Sequence, residues 1–187
     1  MSDPARKKAG YADVLASPEH MVAEVTYGTL RLQPRPRFRH ARSTSAMGDL
    51  LGPPFNWGDH GGPGGWLILD EPELHLDEHI LVPDLAGWRR ERMPEMPDTA
   101  YCELAPDWIC EALSPSTAAF DRAEKMPIYA AHGVRHAWLI DPDLQTLEVF
   151  ALEGTRWLML SVLRSDAVAR IPPFEAIEFP LARLWAR

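Results

Sequence analysis

The sequence predicts an α/β fold in which a mixed central β-sheet is flanked by helices. Three observations lead there. The elements read in the order helix, three strands, helix, strands, with no internal repeat. The strand segments are short apolar runs punctuated by Gly and Pro, and the helical ones show a 3.6-residue apolar period. Finally, 46% of the 187 residues are apolar and 25% are charged, the balance of a chain that buries one core without staples.

Residues 1–17 read as a flexible tail and 18–187 as one domain. Ser17-Pro18-Glu19 has the signature of a helix start, with Ser17 as N-cap and Pro18 at the first helical position. Val25 to Leu32 reads as a hairpin or bent strand around Gly28. PRPRFR follows, a proline-broken connector that, with Arg42, is the most cationic part of the chain. Arg37, Arg39 and Arg42 make it either a solvated loop or a phosphate-contacting arm. His40–Leu51 fits a helix with Ala41, Ala46, Met47, Leu50 and Leu51 on one face, stopped by Gly52-Pro53-Pro54. The glycine-rich stretch 56–65 lacks any phosphate-loop pattern.

Three strand candidates come next: 66–69 continuing toward 74–76, then 80–88, then 107–113, the last two separated by a long polar loop. A helix is expected from a Ser114-Pro115-Ser116-Thr117 cap to about His132, kinked at Pro127 and closed by Gly133. Strands at 136–140, 146–152, 157–163 and 177–179 complete the chain.

Composition narrows the function. No apolar run approaches the ~18 residues of a transmembrane helix, and the N-terminus lacks the apolar core of a signal peptide. With only Cys102 and Cys110, reduced thiols and a cytoplasmic location are expected. A net charge of −8 opposes tight non-specific binding to nucleic acid, but not a local basic groove. The histidines show no paired zinc-ligand spacing and there is no GxSxG; Ser114 and Ser116 read as turn residues.

The residues that carry chemistry follow from strand pairing. If strands 80–88 and 107–113 run antiparallel, the start of one meets the end of the other, and Asp84 comes beside Glu111. Asp107, four residues from Glu111 at ~3.3 Å per residue, falls roughly 13 Å away at the opposite end. Two carboxylates on a sheet edge suit Mg²⁺ or Mn²⁺, hard cations that take oxygen ligands. A lysine beside them can orient or deprotonate a water on the metal, or steady charge on a phosphate. Lys125, on the following helix, is in place for that, and Asp121, Lys125 and Tyr129 share a helix face; a plain ion pair with a packed tyrosine explains the same row. Glu71 and Glu73 lie near in sequence order, and Glu73 shares a strand face with His75, which a solvated strand would also explain.

The run PDWICEALSPSTAAFDRAEKMPIYAAHGVRHAWLIDPDLQTLEVF resembles the Uma2 family of restriction-endonuclease-like proteins, as do ILVPDLAGWRRERMP, VAEVTYGTL and RFRHA before it; together the resemblance spans roughly residues 18–160. It implies a restriction-endonuclease-like core of the PD-(D/E)xK type. Asp84 would then be the aspartate of the "PD" motif and Glu111 the acid of "(D/E)xK". Leu113 stands where the motif lysine belongs, so that role would pass to Lys125. Glu24 and His40 match weaker family positions, as an accessory carboxylate and as a phosphate contact or proton shuttle.

The expected function is metal-dependent hydrolysis of DNA phosphodiester bonds, with Asp84 and Glu111 holding Mg²⁺ (or Mn²⁺) and Lys125 assisting. A homodimer is expected because cutting a duplex needs two sites. The alternative is a catalytically inactive protein that keeps the nuclease fold for binding or regulation. A small-molecule hydrolase using the same carboxylates is a third reading.

Overall fold

The computed structural model describes residues 8–185. Of the expected tail, residues 1–7 lie outside the described residues. Within the rest, a short helix α1 (Tyr11–Leu15) forms before the expected start at Ser17. Ser17 is not an N-cap: its hydroxyl donates back to the carbonyl of Asp13 in α1.

Strands β1 (Met21–Thr26) and β2 (Thr29–Pro34) form the expected hairpin. Its two turn residues, Tyr27 and Gly28, both have positive φ (50° and 71°), the left-handed pair that matches a two-residue hairpin to strand twist. Helix α2 (Phe38–Leu51) buries Ala46, Met47 and Leu51, and Leu50 packs against them. Gly52-Pro53-Pro54 does not stop it. The chain widens into a π-helical turn, Gly52–Trp57, and ends at Gly58 with φ 73°. A wider turn tolerates prolines that an α-helix would expel.

The strands between 66 and 88 depart from expectation. The run 66–76 is two strands, β3 (Trp66–Asp70) and β4 (Glu73–Leu76), and 80–88 is β5 (His79–Leu81) and β6 (Leu85–Arg89). In each case the halves belong to different sheets. The breaks fall at Glu71-Pro72 and Val82-Pro83, where proline removes a ladder donor. The two crossings touch, the Glu71 N–H donating to the Asp84 carbonyl at 3.0 Å. The long loop contributes β7 (Tyr101–Cys102), paired parallel to β4.

β8 (Trp108–Ala112) is buried at every position. It pairs antiparallel with β6, as expected, and parallel with β9 (His136–Asp141). The helix joining them starts later than its sequence suggests. Ser114–Thr117 form their own turn, and α3 (Ala118–Phe120), a π-helical segment (Asp121–Lys125) and α4 (Met126–Ala131) follow in one run. Pro127 sits at the start of α4, so the widened segment absorbs the expected kink. Gly133, with φ 73°, closes the run as expected. β10 (Thr146–Glu153) and β11 (Arg156–Arg164) extend the sheet. The expected strand at 177–179 is only β13 (Phe179–Pro180), paired with β12 (Val168–Ala169) outside both main sheets.

The mixed sheet thus runs β11-β10-β9-β8-β6-β3, and a second sheet runs β2-β1-β5-β4-β7. Strand alternation gives the main sheet two apolar faces. On one, Trp108, Cys110, Trp138 and Trp66 pack with α2 and the C-terminal segment around Phe174. On the other, Ile109, Leu113, Ala137 and Leu139 pack with α4 and the β4 and β5 strands of the second sheet. Glu111 has the parity of this second face. Both cysteines are free, Cys110 buried and Cys102 half-buried. Among the described residues no helix is long and apolar enough to cross a membrane.

Candidate active site

The β6–β8 register pairs Leu85 with Cys110, so the next step outward sets Asp84 against Glu111. The two carboxylates do meet at one sheet end. Asp84 Oδ2 accepts the Ala112 N–H at 2.7 Å, which closes the end of β8. The same oxygen lies 3.3 Å from His40 Nε2, brought by the first turn of α2. Burial alone would lower the His40 pKa; the Asp84 carboxylate and Ala112 carbonyl outweigh it and hold the ring above its ordinary 6.5. His40 Nδ1 is buried without a partner.

Behind Asp84 lies a buried charged cluster. Lys125 Nζ is 2.8 Å from Glu111 Oε1, 3.0 Å from Glu24 Oε1 and 3.1 Å from the Val82 carbonyl, so its three donors are all engaged. Burial works against its ammonium, but Glu111 and Glu24 raise its pKa well above the ordinary 10.5. Lys125 is therefore held as a cation and is no proton acceptor here. Tyr129 Oη donates to Glu111 Oε1 at 2.7 Å. Glu24 also accepts from the Val82 N–H (2.8 Å) and Gln33 Nε2 (2.7 Å). Asp121 is buried too, and burial pushes its carboxyl up to about 6. Burial likewise raises Glu111 well above the usual carboxylate range, with Asp121, Asp84 and Glu24 pushing the same way against Lys125.

Two ties hold the helix that carries Asp121 and Lys125. Arg122 grips Glu148 of β10 with bonds of 2.8 and 2.7 Å, and Glu124 takes Thr26 (2.7 Å) and Arg31 from the hairpin. Both ties fall within the π-helical segment, which carries Asp121 and Lys125 into the wall of one cleft.

Asp84, Glu111, Lys125, Glu24, His40 and Asp121 all line one cleft of about 320 Å³, with Arg35, Arg37 and Glu71 also on its walls. Glu73 does not line it. Its Oε1 pairs with His75 at 2.8 Å, beside the His75–Tyr101 stack. Asp107 is at the far end of β8, as expected, where it holds Arg92 (2.9 Å) and the Arg89 N–H. Gln33 and the Val82 and Ala112 backbone groups went unread in the sequence. Gln33 was within reach: the turn at Tyr27-Gly28 pairs it with Val22, on the Glu24 face of β1.

The donor set suits a hard cation. Four carboxylates (Glu24, Asp84, Glu111, Asp121) line the cleft with one lysine, an excess of negative charge that a divalent ion would relieve. Asp84 Oδ1 and Glu111 Oε2 make no hydrogen bond to other described residues and remain free to ligate. Among the described residues, no three His, Cys, Asp or Glu side chains group closely enough to hold an ion by themselves. A Mg²⁺ ion would draw on at most Asp84 and Glu111 here and would complete its shell with water and substrate oxygens.

A mixed sheet with this acid–lysine cluster at its end, backed by helices, defines a restriction-endonuclease-like fold. Residues 12–182 match the Uma2 family, described as "Putative restriction endonuclease", and the chain belongs to that family. The fold is also that of the crystal structure of "a putative nuclease belonging to DUF820" from Anabaena variabilis ATCC 29413. That match has a TM-score of 0.72 at 22% identity and covers 95% of this chain and 98% of the other. No curated protein matches.

Proposed function

We propose that this chain is a metal-dependent endonuclease that hydrolyses DNA phosphodiester bonds, with Asp84 and Glu111 holding Mg²⁺ or Mn²⁺. The observation that carries the reading is the pair of uncommitted carboxylate oxygens at the sheet end, backed by a lysine whose charge is fixed by Glu111 and Glu24. The cation would supply Lewis-acid polarisation of the phosphate and of the attacking water. Asp84 is oriented by the Ala112 N–H and His40, and Glu111 by Tyr129 and Lys125, so both are preorganised. Lys125 offsets charge at Glu111 and does not remove a proton. His40, paired with Asp84 and lining the same cleft, can meet a phosphate oxygen. Arg35 and Arg37 on the wall hold the flanking backbone.

Titration calorimetry with Mn²⁺ and plasmid nicking, read from the same preparations, test this. Wild type should bind metal and nick, and both Asp84→Ala and Glu111→Ala should do neither. Wild type that binds no metal at millimolar concentration would leave the inactive binding protein as the better reading, which Leu113 at the motif-lysine position already favours.

A further inference from the structure

The arm before α2 presents an aromatic ring that the core does not use. Phe38 is 96% exposed, the most exposed large apolar side chain among the described residues. It stands in the run Arg35-Pro36-Arg37-Phe38-Arg39, with Arg42 one turn on. Arg35 and Arg37 line the active-site cleft, and His40, two residues beyond Phe38, touches Asp84 at 3.3 Å. Arg35 and Arg39 have only loose, exposed carboxylate neighbours, Glu71 at 3.5 Å and Asp143 at 3.3 Å. Neither Arg37 nor Arg42 pairs with a carboxylate among the described residues.

We infer that Phe38 and the arginines around it form a base-stacking, phosphate-holding platform that leads one unpaired nucleic-acid strand into the cleft. This names the substrate class for the nuclease reading and rests on it. Aromatic rings for bases and cations for backbone are how single strands are gripped without sequence readout. In a chain of net charge −8, four arginines within eight residues are a local exception that phosphate explains.

The recess points the same way. Glu111 and Lys125 are each 2% exposed, so a phosphate must descend to reach them. A cleft of about 320 Å³ is at the small end of ligand sites (~300–1,000 Å³). A single strand can bend into it. A duplex, its backbones held apart by base pairs, would need the arm to enter a groove.

The test is fluorescence anisotropy with the full chain in chelator, using an oligothymidylate of about 15 nucleotides and a hairpin duplex. Cleavage of the single strand and nicking of a plasmid, both in Mn²⁺, are read in parallel. Wild type should bind the single strand more tightly than the duplex. Phe38→Ala should weaken single-strand binding about tenfold with its melting temperature unchanged, and Phe38→Trp should restore it. Arg37→Ala should lower the salt dependence by about one released ion. The inference is overturned if Phe38→Ala binds the single strand as wild type does, if wild type prefers the duplex, or if neither probe binds. Nicking that persists alongside any of these leaves the nuclease reading intact. Single-strand binding with neither single-strand cleavage nor nicking removes that reading and keeps the platform.

Discussion

At the scale of residues, Asp121 is the most informative titrating group. Burial raises its carboxyl from an ordinary 3.8 to about 6, so the fold favours its neutral form. Its stabilising contribution is complete below about 3.8 and is lost as pH rises through about 6. The shift of about two pH units corresponds to roughly 3 kcal/mol. Asp121→Asn keeps the shape without the charge. Urea denaturation of metal-free protein should show wild type losing stability relative to this variant between pH 4 and pH 7. Parallel curves would mean that burial does not raise the Asp121 carboxyl. The cluster itself was legible in outline: Asp84 and Glu111 follow from strand pairing, and Lys125 from helix position. What could not be read is that Lys125 uses all three donors, because Glu24 and Val82 arrive from distant segments of the chain.

At the scale of elements, the turn after α2 separates crowding from backbone strain. Gly62 has an ordinary φ of −72°, yet a Cβ there would run into the backbone of Pro54. Gly61 has φ 76° and open space around it. Gly62→Ala should therefore cost about 1–3 kcal/mol by overpacking and disturb the π-helical turn. Gly61→Ala should cost about 1–2 kcal/mol from left-handed backbone alone. Chemical denaturation gives both values; hydrogen exchange should show faster opening of residues 52–57 in the Gly62 variant alone. The hairpin was readable here because Gly28 punctuates it. The splitting of 66–76 and 80–88 was less so. Pro72 and Pro83 mark the breaks, but only the partners of each half decide which sheet it joins.

At the scale of the whole molecule, the candidate-site cleft is where several layers converge. The second sheet brings Glu24, α2 brings His40, and the helical run brings Asp121 and Lys125. An ion held there by the folded chain alone should stabilise all of it, by about 2.7 kcal/mol at a hundredfold excess over Kd. Thermal melts with Mg²⁺ or Mn²⁺ should show that rise in wild type and none in Glu111→Ala. An equal rise in both would place the ion elsewhere.

The sequence by itself determined the α/β class, the β1–β2 hairpin, the β6–β8 pairing and the acids Asp84 and Glu111, since periodicity, turn residues and register are local or nearly so. The tertiary structure alone decided that Glu24 and Lys125 share a buried ion pair, that Glu73 turns away to His75, and that an arginine arm flanks the cleft. Those outcomes depend on which distant strands and helices pack together, and burial, which sets their charges, exists only after packing is complete.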